Sequence, residues 1–327
     1  MVKPEARRQA AILSILATSA AVVLAAVALA AYADGAFNRA FDARFWRLLL
    51  LEPVLAVYWV AALPAVGLMR ERAVAALRAI VLLPGQEVQR LAAAHGAAGR
   101  RYFWLCVTVG VLAGQALLQP WTRSTDMPRL YVLHWLMTVV VWGLIGGFIG
   151  ETFNGARLLG RLQQERLTLD LFDTSPLQPL ARWALSVVLG FAGAATIAAV
   201  AILDEDVLRT YGLRSLTIYG LMSATATGLF FLGVWDSHRL IGRMKQLELS
   251  DVTRRLAAAH AALRSAMAAD EPNTTTLAAA VATWALLEQR LRAISEWPFN
   301  TATLRNLAAA LLAPAAAAAF RAYVELR

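Results

Sequence analysis

The chain has 327 residues, 59% hydrophobic and only 16% charged, with one cysteine and a net charge of +9. Soluble domains carry roughly 25% charged residues, so this chain is short of the polar surface a soluble globule of its size needs, and a membrane protein is expected. Its basic residues are nearly all arginines that flank apolar runs without any groove-reading motif, which sets nucleic acid aside as a partner; the lone Cys106 sets aside an intrachain disulfide and a cysteine-based metal cluster.

In chain order, the first apolar run covers 10–32, after Lys3, Arg7 and Arg8. Its end, "AYAD" at Ala31 to Asp34, resembles a signal-peptide cleavage site. The run exceeds the roughly 7–15 residues of a signal-peptide core, so a retained helix is expected. Further runs cover 46–69, 102–118, 130–150, 183–203 and 215–235. Each is near the roughly 20 residues a helix needs to cross the hydrocarbon, and each is continuous rather than alternating. The predicted fold class is therefore all-α: a polytopic transmembrane helical bundle of six spans within residues 1–236.

The spans carry few polar groups. Glu52, in "LLLLEPVL" with Pro53 beside it, lies in the second span; Gln115 lies in the third and His134 in the fourth. A carboxylate or imidazole in hydrocarbon is costly and often marks an ion path, so these three are the transport-path candidates. Glu52 and His134 are both near the end of their spans, where an interfacial or structural role competes. Gly143, Gly146, Gly147 and Gly150 form overlapping small-xxx-small pairs suited to close helix packing. Ser223, Thr225 and Thr227 in the sixth span are spread around the helix, so back-bonding to its own carbonyls is expected. Glu151 and Asp236, at the far ends of spans four and six, are expected to pair with Arg157 or Arg239.

Arginine placement gives an orientation. Lys3, Arg7, Arg8, Arg70, Arg72, Arg78, Arg90, Arg100, Arg101, Arg157, Arg161, Arg166 and Arg182 fall on one side, against Arg39, Arg44, Arg47, Arg123, Arg129, Arg209 and Arg214 on the other. The excess places the N-terminus in the cytoplasm of a prokaryotic inner membrane. On that side the chain writes nearly the same phrase twice, "RLLGRLQQ" from Arg157 and "RLIGRMKQ" from Arg239, identical at five of eight positions. Arg157 and Arg161, like Arg239 and Arg243, are four apart on one helical face, where arginine stems cover apolar surface and guanidiniums reach anionic headgroups. A duplicated hairpin of spans and simple convergence at a membrane exit both explain the phrase. Gly160 and Gly242, inside it, would allow another helix to approach closely.

Beyond the sixth span, residues 237–296 read as a cytoplasmic helical hairpin. Leu240, Met244, Leu247, Val252, Leu256, Ala259, Leu263 and Met267 form one seam; Leu277, Val281, Trp284, Leu287, Leu291 and Ile294 form the other. Between them, Pro272 breaks the helix and a threonine can cap the next one. Residues 297–327 read as a membrane-touching helix. Its uncharged stretch, 307–320, is shorter than an ordinary span, and a crossing over 303–320 stays open. The tail, "EWPFNTATL" from Glu296 followed by an apolar end, resembles that of a group of prokaryotic integral-membrane proteins, which implies a shared architecture and no particular activity.

There is no P-loop, HExxH, GxSxG, CxxC or dinucleotide fingerprint, and His95, His134, His238 and His260 lack metal-ligand spacing. No catalytic residue, cofactor or metal is predicted. The function expected is non-enzymatic and channel- or transporter-like. The alternative is a membrane-anchored signalling or assembly subunit working through the hairpin. Expected partners are the bilayer with its anionic headgroups, a second copy of the chain, and a cytoplasmic protein.

Overall fold

The structure is a computed structural model and describes residues 3–39, 43–82, 85–118, 127–165, 170–173, 175–202, 205–269, 272–297 and 301–325. Eight α-helices occur among them: α1 (Lys3–Ala33), α2 (Ala43–Ile80), α3 (Gly85–Leu118), α4 (Pro128–Gln164), α5 (Gln178–Ile202), α6 (Glu205–Ala268), α7 (Thr274–Ala293) and α8 (Thr301–Glu325). The fold is an all-α transmembrane bundle. Among the described residues five stretches are long and apolar enough to cross a membrane: Ser14–Ala33, Phe45–Ile80, Gly99–Leu118, Pro128–Gln164 and Ser175–Ala201. They contain most of the first five expected spans. The sixth, 215–235, lies within α6, and its first five side chains lie outside the described residues.

The apolar residues left outside explain why the chain needs a bilayer. α3 packs mainly on α4, and its other face exposes Trp104, Leu105, Val109 and Leu112; α1 likewise exposes Val22, Leu24 and Leu29. Contiguous apolar surface of this extent is unstable in water and ordinary in hydrocarbon.

Three devices hold the bundle. At the end where α1 meets α2 and α4 begins (the loop end), Pro128 opens α4 and Met127 supplies no side-chain cap. The cap comes from elsewhere: Asp34 Oδ2 accepts from the backbone N–H groups of Arg129 and Leu130, at 2.9 and 2.8 Å. A carboxylate there satisfies two orphan donors and the helix dipole together. Arg129 Nη1 returns a bond to Ala33 O, 2.6 Å, and Gly35 turns the chain at φ +68.

The second device is the glycine face of α4. Gly146 and Gly150 meet Cys106 of α3, Gly147 meets the Phe103 ring, and Gly110 of α3 meets the Trp142 carbonyl. A Cβ on Gly146 would overlap the Cys106 carbonyl, so only glycine allows the two backbones this close. Gly143 is different: its nearest neighbours, Val111 and Val107, stand at ordinary contact distance, 3.4 and 3.7 Å. This face is occupied within the chain, so it is not a free surface for self-association.

The third is an aromatic centre. Trp59 of α2, Phe148 of α4 and Phe191 of α5 meet edge-to-face with centroids 4.9–5.5 Å apart, and all are at most 2% exposed. Leu77, Leu159, Val187, Val188, Phe230 and Val234 extend the same core.

The repeated phrase now has a structural meaning. Leu159 and Ile241, at matching positions, are both fully buried. Gly160 sits against the Asp236 carboxylate and Gly242 near that of Glu296, the latter at an ordinary 3.7 Å. Gln163 and Lys245, also matching, each reach an element that follows: Ser237 Oγ donates to Gln163 Oε1 at 2.8 Å, and Lys245 Nζ donates to Ile294 O at 2.8 Å. Each phrase thus docks one buried face onto a later segment. Close approach is needed at Gly160 and not at Gly242.

α6 and α7 form the expected hairpin pair, but the α6 seam differs. Leu247 and Met267 are 71% and 66% exposed, whereas Ile241, Val252 and Ala266 are buried. At 100° per residue Leu247 falls on the side away from Ile241 and Val252, because the five-residue step from Leu247 to Val252 turns the helix by about 140° and the buried face starts at Ile241 instead of Leu240. α7 starts on Asn273, which makes no side-chain cap, so the threonine cap is absent. Thr227 Oγ1 donates to Ser223 O at 2.8 Å, the expected back-bond.

α8 packs along α5, with Leu307 and Ala310 buried in the shared core. Trp297, just ahead of α8, lies on Phe231 and His238 of α6, and Trp183 near the start of α5 lies on Gly233. The two helices therefore leave the same level of α6 and run in the same direction.

Gly146→Ala should cost about 1–3 kcal/mol of overpacking, whereas Gly143→Ala should be close to neutral. Thermal unfolding of both variants in detergent checks the difference.

Candidate functional site

α2 carries three polar or aromatic landmarks on a single rod: Glu52, Trp59 and Arg70. From Glu52 to Arg70 is eighteen residues, about 27 Å at 1.5 Å per residue, close to the thickness of the hydrocarbon. α4 supplies a partner at every level.

At the first level, near the loop end, Glu52 is 7% exposed. Its Oε1 lies 2.7 Å from Thr138 Oγ1 and its Oε2 3.0 Å from His134 Nδ1. The imidazole comes within ion-pair reach but not along its N–H direction, so buried Oε2 has no aligned donor. Thr138 has one hydroxyl proton and two acceptors, Glu52 Oε1 and the His134 carbonyl, the latter at 3.0 Å. At the second level stands the Trp59–Phe148–Phe191 cluster, which fills the middle with rings. At the third, Arg70 pairs with Glu151 of α4, and the Arg70 stem and the Trp183 ring pack against Gly155. Polar side chains therefore tie α2 to α4 at both ends, a hydrogen-bonded cluster at one and an ion pair at the other, and an aromatic septum separates the ties.

α2 also carries two prolines in its interior, Pro53 and Pro64. Each lacks the N–H that would serve the carbonyl four residues back, Leu49 and Val60, and each weakens the helix locally. The segment between them holds Trp59.

Of the three predicted path residues, two are brought together. Glu52 and His134 form one cluster. Gln115 belongs elsewhere: its Oε1 accepts from Trp135 Nε1 at 3.0 Å, between α3 and α4, and its Nε2 is buried without a partner. The expected pairing of Glu151 with Arg157 or Arg239 is corrected. Arg70 reaches Glu151 because α2 packs beside α4, while Arg157 lies over Tyr102 and Arg239 over Trp235, at 5.3 and 5.9 Å. No ion pair joins Asp236 to either arginine among the described residues; Asp236 faces Gly160 instead. Arg161 and Arg243 are exposed beside them.

Thr138 and Arg70 were missed by sequence reasoning. A threonine in a span draws no notice, although it stands four residues after His134 on the same face. Also missed was a clamp at the base of the hairpin. Lys245 Nζ caps the end of α7 through Arg292 O and Ile294 O, at 3.1 and 2.8 Å, and lies 3.7 Å from Glu296. Next to it His238 stacks on Trp297, with centroids 4.2 Å apart, and donates from Nδ1 to Glu296 O at 3.2 Å. The sequence signal was the isolation of Lys245 among arginines.

Among the described residues no three His, Cys, Asp or Glu side chains come together as a metal site. No protein family, curated protein or solved structure matches the chain.

Thr138→Val keeps the shape and leaves Glu52 Oε1 without its donor, so it should cost about 1–3 kcal/mol, while Thr138→Ser should retain most of the stability. A loss of stability in Thr138→Ser with none in Thr138→Val, read by thermal unfolding, would assign the role to the methyl group instead.

Proposed function

We propose that this integral membrane protein is transporter-like, moving a small ion or solute past the α2–α4 contact. One observation carries the reading: a nearly buried carboxylate–imidazole–hydroxyl cluster at one end of the hydrocarbon, closed from an ion pair at the other end by an aromatic septum. Polar groups are retained at such depth when they are used, because burying them unpaired is expensive. The septum favours a transporter over an open channel, since rings fill the place a pore would need. Pro53 and Pro64 on either side of Trp59 supply the points at which α2 would bend. The arginine excess supports a cytoplasmic hairpin end in a prokaryotic inner membrane, with Arg157, Arg161, Arg239 and Arg243 at the headgroups and the Glu52 cluster toward the outside.

A second reading has its own support. α6 runs unbroken from the bundle into the hairpin, and the Lys245 clamp joins the end of α7 to the root of α8. Exposed Leu247 and Leu286 give the hairpin apolar surface. This arrangement suits a subunit that passes a partner's binding to the membrane part.

Purified protein in liposomes should carry ions or protons above an empty-liposome control, and Glu52→Gln should cut the flux at least about tenfold, the scale on which loss of a single functional contact reads out. Wild-type flux in a folded Glu52→Gln protein would sink the transport reading. A flux-silent protein whose partner capture is lost on Leu247→Arg would favour the second.

A further inference from the structure

α8 is the helix whose place in the bilayer its composition leaves open, because its uncharged stretch is shorter than an ordinary span. We infer that α8 is a further membrane span. Its face away from α5 meets the acyl chains of the bilayer, and the residues after it emerge on the side opposite the α6–α7 hairpin.

α8 begins at a membrane surface. Trp297 lies on Phe231 and His238, and Trp183 lies on Gly233, so α5 and α8 start beside the same turns of α6. Within those turns Trp235 is exposed, with the Arg239 guanidinium over its ring. Tryptophan and arginine gathered at one level, next to apolar helix, mark a membrane–water interface. From that level α5 carries a stretch long enough to cross, Ser175–Ala201. α8 leaves the same level and packs along α5, with Leu307 and Ala310 buried and Leu311 half-buried in the shared core. Two helices that start level and stay in contact pass through the same depth.

The outward face of α8 has nothing to offer water. Between 307 and 320 the exposed positions among the described side chains are Ala308, Ala309, Leu312, Ala315, Ala316 and Phe320, all apolar. α7 is also rich in alanine, yet its open face carries Thr283, Gln289, Arg290 and Arg292. A helix that is apolar on both its packed and its open face is one surrounded by protein and hydrocarbon.

The length is sufficient. α8 has 25 residues, about 38 Å at 1.5 Å per residue. Arg305 and Arg321 are sixteen residues apart, about 24 Å, against roughly 30 Å of hydrocarbon. Arginine stems make up such a shortfall by snorkelling, at a modest cost per Å. Pro314 fits the same setting, since proline is commoner in spanning helices than in soluble ones.

Two measurements test the span on the full-length protein with Cys106 replaced by alanine. The first compares spin labels on Leu312→Cys and Leu286→Cys, both at exposed positions where a label displaces little. In lipid nanodiscs the label at 312 should be relaxed by oxygen and lose most of the relaxation by a water-soluble nickel chelate that the label at 286 shows. The second asks for sidedness, with a membrane-impermeant maleimide on right-side-out and inside-out vesicles. Asn273→Cys, at the exposed turn of the hairpin, and a cysteine appended after Arg327 should be labelled in opposite preparations. Equal nickel relaxation at 312 and 286 would overturn the inference. So would labelling of both cysteines in the same preparation, or of the appended one only after detergent is added.

Discussion

The α2–α4 contact governs this molecule, and the constraint on it is the burial of Glu52. A carboxyl that is nearly inaccessible must find its partners inside the protein, and here all come from one helix, His134 and Thr138 of α4. That requirement fixes the rotation of α4 about its own axis. Once the face with His134 and Thr138 turns to α2, Phe148 and Glu151 fall on Trp59 and Arg70, and the glycines turn to α3. The glycine face can then be filled only by a helix that comes as close as α3 does. Asp34 adds the axial register, because capping Arg129 and Leu130 sets where α4 starts relative to α1.

Much of this was legible in the sequence. Continuous apolar runs announced the spans, since backbone groups in hydrocarbon have no partners except those of a helix. The small residues of α4 announced a close contact. Glu52 and His134 stood out as costly residues in apolar runs. What remained hidden is what sequence spacing cannot carry: which helix lies beside which. Glu52 was legible as a polar group but not as the partner of a residue 82 positions later. Arg70 was counted as a topology signal, because a charge at a membrane exit looks the same whether it faces headgroups or Glu151. Gln115 looked equivalent to His134, yet it faces the other side of α4. Leu247 was misplaced because the five-residue step to Val252 leaves the pattern of threes and fours, and the buried face runs through Ile241 and Val252 instead.

The two copies of the arginine phrase illustrate how one local solution serves twice. Both bury a branched aliphatic residue, place a glycine near a carboxylate and send a polar side chain to a later segment. The first joins α4 to α6 inside the bundle; the second joins α6 to the segment that opens α8. Together they make a relay from the span region to the hairpin and back to α5. Common descent and common constraint both produce such a pair, and the structure requires only the second.

The proposed function needs the α2–α4 contact, with polar ties at both ends and a septum between, to open at its loop end while the Arg70–Glu151 end holds. Spin labels placed in pairs on α2 and α4, one pair near Glu52 and one near Arg70, with Cys106 replaced, test it directly. The account predicts that Glu52→Gln lengthens or broadens the first distance distribution and leaves the second unchanged. Identical distributions for both pairs in the wild type and the variant would contradict it.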